Sequence, residues 1–163
     1  MTEALSSQQL NAVHQLLDRV AERQRQDFGN IVSDIKSDGT LITTCDRWSD
    51  EAINAGLAAI APGEGVLSEE GSKCVPSSQA YWVVDPLDGT TNFAAGIPYW
   101  AISVARWVDG KPAEVFLDVP SLRCCARYCL VFRESFGLSQ GFYCPRERLL
   151  FPFLARFAPA ASE

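Results

Sequence analysis

Tyr81-Trp82-Val83-Val84-Asp85-Pro86-Leu87-Asp88-Gly89-Thr90-Thr91-Asn92 is the stretch on which the reading turns. Four β-prone residues run straight into two carboxylates spaced three apart, followed by a glycine and two hydroxyls. Aromatic and β-branched residues in a row fit a buried, pleated strand. A lone Asp-Pro or Asp-Gly is usually only a turn. At the end of a buried strand the same residues offer hard oxygen ligands from a rigid base, with Pro86 stiffening the turn between them. Magnesium takes such ligands in near-octahedral geometry and keeps waters and substrate phosphates in its shell. Gly89 lets the backbone approach a phosphate closely, the amides after it can donate to phosphate oxygens, and Thr90 adds a hydroxyl. Leu87 has no ligating side chain, only its carbonyl.

Upstream, Leu67-Ser68-Glu69-Glu70-Gly71 sets a second pair of carboxylates after a short apolar run. Alone it reads as a solvated acidic surface. Beside Asp85 and Asp88 it reads as part of a cluster whose charges repel until a divalent ion neutralises them, so the site is expected to depend on metal. Further upstream, Leu10, Val13, Leu17 and Val20 repeat at helical spacing, with Ser6 and Gln9 as a capping box and Gly29 as the stop. Lys36-Ser37-Asp38-Gly39-Thr40 reads as a turn into the short apolar stretch Leu41-Ile42-Thr43. A second helix is expected over residues 46–60, ended by Pro62-Gly63. Downstream of the loop, residues 101–107 and 114–119 read as strands joined by an Asp109-Gly110 hairpin turn. Two helices followed by consecutive antiparallel strands make an α+β class, with the two N-terminal helices packed on the sheet.

Asp-Pro-Leu-Asp-Gly-Thr-Thr-Asn-Phe after Tyr-Trp-Val-Val resembles the signature of the inositol monophosphatase family, within the wider group of lithium-sensitive, magnesium-dependent phosphatases. Lys36-Ser37-Asp38-Gly39 and Thr43-Thr44-Cys45-Asp46 resemble that family's lysine segment and its Thr-x-x-Asp. Leu67-Ser68-Glu69-Glu70 resembles its Gly-Glu-Glu motif, with Ser68 in place of glycine, and residues 96–104 match the segment after the signature. The resemblance covers roughly residues 5–122 and is to the first half of a layered αβαβα fold. It implies hydrolysis of a phosphate monoester of a small polyol or sugar by metal-activated water, with Mg2+ as cofactor. Glu69, Asp85 and the Leu87 carbonyl are implied to hold the metal that activates water, and Asp88 to join Asp85 on a second metal. Gly89, Thr90 and Thr91 are implied to bind phosphate. Thr90 with Asp46 is implied to orient or deprotonate the water, with Lys36 as an electrostatic support.

Two regions follow from this reading: residues 1–122 as a family-like α+β domain, and residues 123–163 as an atypical tail. The first holds 8 Lys+Arg and 17 Asp+Glu, the second 6 Arg, no Lys and 3 Glu. The family's second half brings a Trp-Asp motif that completes the second metal site, and the sequence has no Trp after Trp107 and no Asp after Asp118. A truncated or frame-shifted product is favoured over a genuine short variant, and turnover by this chain is left open. The second functional class is a non-catalytic remnant, or a regulatory module that binds metal and phosphate. Within the enzymes, relatives acting on histidinol phosphate, fructose bisphosphate or phosphoadenosine phosphate are the alternatives.

Other features exclude more than they assign. A net charge of −6 argues against a general nucleic-acid binder. No apolar run approaches the roughly 18 residues needed to span a bilayer, and Met1 to Gln8 lacks the pattern of a signal peptide, so a soluble cytoplasmic chain with no membrane partner is expected. Cys124, Cys125, Cys129 and Cys144 lack the paired spacing of a zinc site. His14 reads as structural or solvated, Trp82, Trp100 and Trp107 as core or hairpin packing, and Trp48 as a helix-to-sheet contact. Homodimers, common in the family, are not encoded in any residue pattern here.

Overall fold

Ser6 opens the first helix through a reciprocal capping box with Gln9, and α1 then runs over Ser7–Asp27. The chain leaves it through Gly29 at a φ of 81°. The structure, a computed structural model, describes residues 4–30, 33–36, 39, 41–71, 74–122 and 128–131. A small antiparallel ribbon follows, β1 (Ser33–Ile35) with β2 (Leu41–Thr43). The expected apolar strand is therefore present, and it has a partner that its exposed sequence did not announce. Thr43 and Asp46 form a second capping box, so α2 (Thr44–Ile60) begins two residues earlier than periodicity alone predicts.

The main sheet has five strands in chain order: β3 (Gly65–Ser68), β4 (Ala80–Asp88), β5 (Ala101–Val108), β6 (Lys111–Asp118) and β7 (Tyr128–Val131). Every pair is antiparallel except β3–β4, which is parallel. Residues 69–79 separate these two strands, more than a hairpin turn needs, and at their start the Glu69 amide donates to the Val84 carbonyl at 3.1 Å, which sets Glu69 beside Asp85. The hairpin between β5 and β6 turns at Asp109 and Gly110, both at positive φ (51° and 74°), the signature of the type I′ turn. β7 adds an edge strand from the tail; residues 123–127 and 132–163 lie outside the described residues.

One core lies between the helices and one face of the sheet. Val13, Leu17 and Val20 of α1 and Ile53 and Leu57 of α2 pack with Trp82, Val84, Ile102, Val104 and Phe116. Each large apolar side chain buried there is worth about 1.5–3 kcal/mol, which is what docks the helices on the sheet. Gly56 permits the helices their close approach, since a Cβ there would come within 2.5 Å of Leu16 Cδ2. On the opposite face Leu67, Val83, Ala105, Trp107 and Val115 form a second buried cluster. Trp82, Trp100 and Trp107 are all buried as expected. Trp48 packs against the helix–sheet core and also lies under the Arg23 guanidinium, 5.0 Å away, so it joins the helices to each other too. The His14 ring stands edge-on to Phe116. Among the described residues no helix is long and apolar enough to cross a membrane.

Candidate active site

β4 stays buried from Trp82 through Leu87 and surfaces at Asp88. Gly89 then adopts a left-handed φ of 103°, and a Cβ there would meet the Tyr99 carbonyl at 3.1 Å and Trp100 Cα at 3.3 Å. Both facts require glycine. A short helix, α3 (Thr90–Ala94), follows, so the hydroxyl-rich stretch read as a loop is one turn of helix. Beneath it Leu87, Phe93 and Trp100 pack with Cys45 and Phe28, an apolar floor that holds the loop against the body of the protein.

Lys36, Glu69, Glu70, Asp85, Leu87, Asp88, Gly89, Thr90 and Thr91 line one open cavity of about 490 Å³. Asp46 reaches it from behind. Its Oδ2 accepts from the Thr43 amide at 2.8 Å as part of the α2 cap, while its Oδ1 accepts from Thr90 Oγ1 at 2.8 Å. One oxygen thus serves the helix and the other serves the site. Thr90 Oγ1 also lies 3.1 Å from the Leu87 carbonyl. A hydroxyl has one proton, and the charged acceptor at the shorter distance takes it, leaving the carbonyl oxygen's lone pairs open to the cavity. The nine residues given a site role by the sequence therefore converge on one place, with Glu70 beside them.

The electrostatics of the cavity are those of crowded anions. Asp85 is 3% exposed. Burial, and then the charges of Glu69 and Asp88, push its carboxyl up to about 8, against the pull of the Leu87 N–H that donates to it. Lys36 Nζ pairs with Glu70 Oε1 at 2.5 Å. For Lys36 burial works against the ammonium, but Glu70, Glu69 and Asp46 outweigh it and raise its pKa. Burial, joined by the charges of Asp46 and Glu69, raises the carboxyl of Glu70 against the pull of Lys36.

The donor set fits a divalent cation of the hard kind. Its atoms are carboxylate and carbonyl oxygens, without sulfur or imidazole. Among the described residues Asp85 has no cationic partner of its own in the cavity, where Lys36 is tied to Glu70. Among the described residues no three His, Cys, Asp or Glu side chains close round a point as a ready-made shell. An ion here would complete its coordination with carbonyl, water and phosphate oxygens, which is the habit of magnesium.

Gln24, Ser49 and Asp50 also belong to this architecture, and local sequence gave no signal for them. Ser68, which stands where the resembled motif has glycine, donates its hydroxyl to Asp50 Oδ1 of α2 and so fastens the turn carrying Glu69 and Glu70. Gln24 of α1 is fully buried and reaches the Pro86 carbonyl at 2.8 Å. Of the cysteines, Cys45 and Cys74 are free. Cys129 sits in β7, and Cys124, Cys125 and Cys144 lie outside the described residues.

Residues 1–120 match the family model described as the inositol monophosphatase family. A histidinol-phosphatase of Mycobacterium tuberculosis is 37% identical over 110 residues, which cover 66% of this chain and 42% of that protein. An inositol-1-monophosphatase of Mesorhizobium japonicum is 40% identical over 106 residues, covering 63% of this chain and 40% of that one. A solved structure of an IMPase/NADP phosphatase complexed with Mg2+ and phosphate overlays with a TM-score of 0.68 at 22% identity, covering 78% of this chain and 49% of that chain. At that identity the likeness speaks for the fold. The chain thus spans about two fifths of the length of these curated relatives and about half of that structure.

Proposed function

The chain belongs to the inositol monophosphatase family, and from that premise we propose that it carries the metal- and phosphate-binding half of a magnesium-dependent phosphatase acting on the phosphate monoester of a small polyol or sugar. The observation that carries the reading is the single cavity in which Glu69, Asp85, Leu87, Asp88, Gly89 and Thr90 gather above Asp46. Glu69, Asp85 and the Leu87 carbonyl would hold one ion, and Asp85 with Asp88 a second. When bound, magnesium supplies positive charge that offsets the crowded carboxylates and the phosphoryl oxygens and makes water a better nucleophile.

The chain's own residues do the rest. Gly89 brings the backbone close to the phosphoryl group, and the amides of Gly89, Thr90 and Thr91 are available to its oxygens. With its proton directed to Asp46, Thr90 Oγ1 presents lone pairs to the cavity. A water that donates to Thr90 is thereby oriented, and its proton passes to Thr90 as the threonine proton passes to Asp46. Asp46 is held for this by the α2 cap through its other oxygen. Lys36 keeps Glu70 turned toward itself and tempers the negative field of the cavity. A cytosolic location forms part of the same reading.

The test is phosphate release by the purified chain, with and without Mg2+, from inositol monophosphate, histidinol phosphate and a panel of sugar phosphates, beside a direct Mg2+ titration. Release from one class of substrate supports the enzyme; failure of both release and metal binding sinks the proposal. A second reading is a module that binds metal and phosphate without turnover, since this chain would offer the second ion two protein ligands where it would offer the first three. Binding without release would establish it.

A further inference from the structure

Gln24 lies in the last turn of α1, 62 residues from the loop it touches, and none of its surface is exposed. Its amide is committed to three bonds. Nε2 donates to the Pro86 carbonyl at 2.8 Å and to Ser49 Oγ at 3.1 Å, and Oε1 accepts from Trp100 Nε1 at 3.0 Å. A buried glutamine satisfied in this way has one orientation open to it, because reversing the amide would face donor to donor.

The Pro86 carbonyl and the Leu87 N–H are the two ends of one peptide plane. Gln24 holds the carbonyl end, and the N–H end donates to Asp85 Oδ1 at 3.2 Å. Because the N–H turns with the carbonyl, the rotation of that plane bears on where the Asp85 carboxylate lies. We propose that Gln24 is a positioning residue that presets the metal loop, holding the Asp85 carboxylate in binding geometry before any ion arrives. The proposal rests on the metal reading above and extends it to a residue outside the cavity, on a different element.

Removing the amide would leave the Pro86 carbonyl and Trp100 Nε1 buried without partners and free the peptide plane to turn. Outer partners of metal ligands typically govern affinity by about 10–100-fold. Mn2+ binding, read by the loss of its free-ion paramagnetic resonance signal, serves as the probe for wild type, Gln24→Met, Gln24→Asn and Val20→Ala, each checked for folding by near-ultraviolet circular dichroism. Gln24→Met is close in shape and has no donor; Gln24→Asn keeps the amide but falls one methylene short, and stands in if the first variant does not fold. Both are expected to weaken Mn2+ binding at least tenfold. Val20→Ala empties part of the helix–sheet core one turn before Gln24 on the same helix and leaves the three Gln24 bonds in place. It is expected to lower the melting temperature while Mn2+ affinity stays within about twofold. Folded Gln24 variants with wild-type affinity would overturn the proposal, as would a loss in Val20→Ala equal to theirs. A wild-type chain that binds no Mn2+ would overturn the metal reading itself.

Discussion

Residues 80–84 and residues 85–88 belong to one strand, and the two stretches differ in what they bury. The first places Trp82 and Val84 in the helix-facing core and Val83 in the cluster on the other face, all at 0–1% exposure. The second buries Asp85 at 3% exposure beside Glu69 and Asp88. Apolar burial stabilises the fold, whereas burial of an unpaired carboxylate costs stability until a cation or a proton relieves it. One half of β4 thus supports the protein, and the other half depends on that support to hold a crowded, ligand-hungry arrangement.

The largest test of this contrast is at the supporting end. Trp82→Ala is expected to cost roughly 3–5 kcal/mol by chemical denaturation, the usual scale for emptying a large core site. Next is the hinge between the stretch and α3. Gly89→Ala forces a side chain into a left-handed backbone and against the Tyr99 carbonyl, and should cost roughly 1–3 kcal/mol while also weakening phosphate binding in a direct titration.

At the ligand-hungry end the sign reverses. The Asp85 carboxyl titrates near 8 in the fold, against 3.8 for the free group. Its contribution to the metal-free protein is therefore fully present below about pH 4 and is lost as pH rises through about 8. Asp85→Asn should remove that dependence and make the metal-free protein more stable at pH 8 by roughly 1–2 kcal/mol, while abolishing metal binding. A variant less stable than wild type at every pH would break the contrast. The smallest effect is expected from Trp82→Phe. Trp82 Nε1 is buried without a hydrogen-bond partner among the described residues, so losing it should cost under about 1.5 kcal/mol, far less than the alanine variant.

How much of this could be read in advance follows the same division. The Asp85 to Asn92 loop was legible because its meaning is local: two carboxylates, a glycine that must turn left-handed and a hydroxyl lie within eight consecutive residues. Both capping boxes and the Asp109-Gly110 turn are equally local, although the second box surfaced only with the structure, because Thr43 had been read as the end of an apolar stretch. The parallel pairing of β3 with β4 was not legible, because strand composition does not encode direction. Gln24, Ser49 and Asp50 were missed for a related reason. Each is a polar residue on a helix whose partner lies far along the chain, 62 residues for Gln24 and Pro86 and 18 for Asp50 and Ser68. Their spacing marks them only as ordinary helix residues, and what they hold is decided by how α1 and α2 pack on the sheet.

The most direct test of the central claim is a calorimetric titration of Mg2+, with and without inorganic phosphate, into wild type and Asp85→Asn at pH 8. Saturable binding is expected for wild type, tightened by phosphate, and at a hundredfold excess over Kd it should add about 2.7 kcal/mol of stability. Asp85→Asn should give neither the heat nor the stabilisation. A wild-type chain that takes up no Mg2+, or an Asp85→Asn variant that binds as tightly as wild type, would contradict the account.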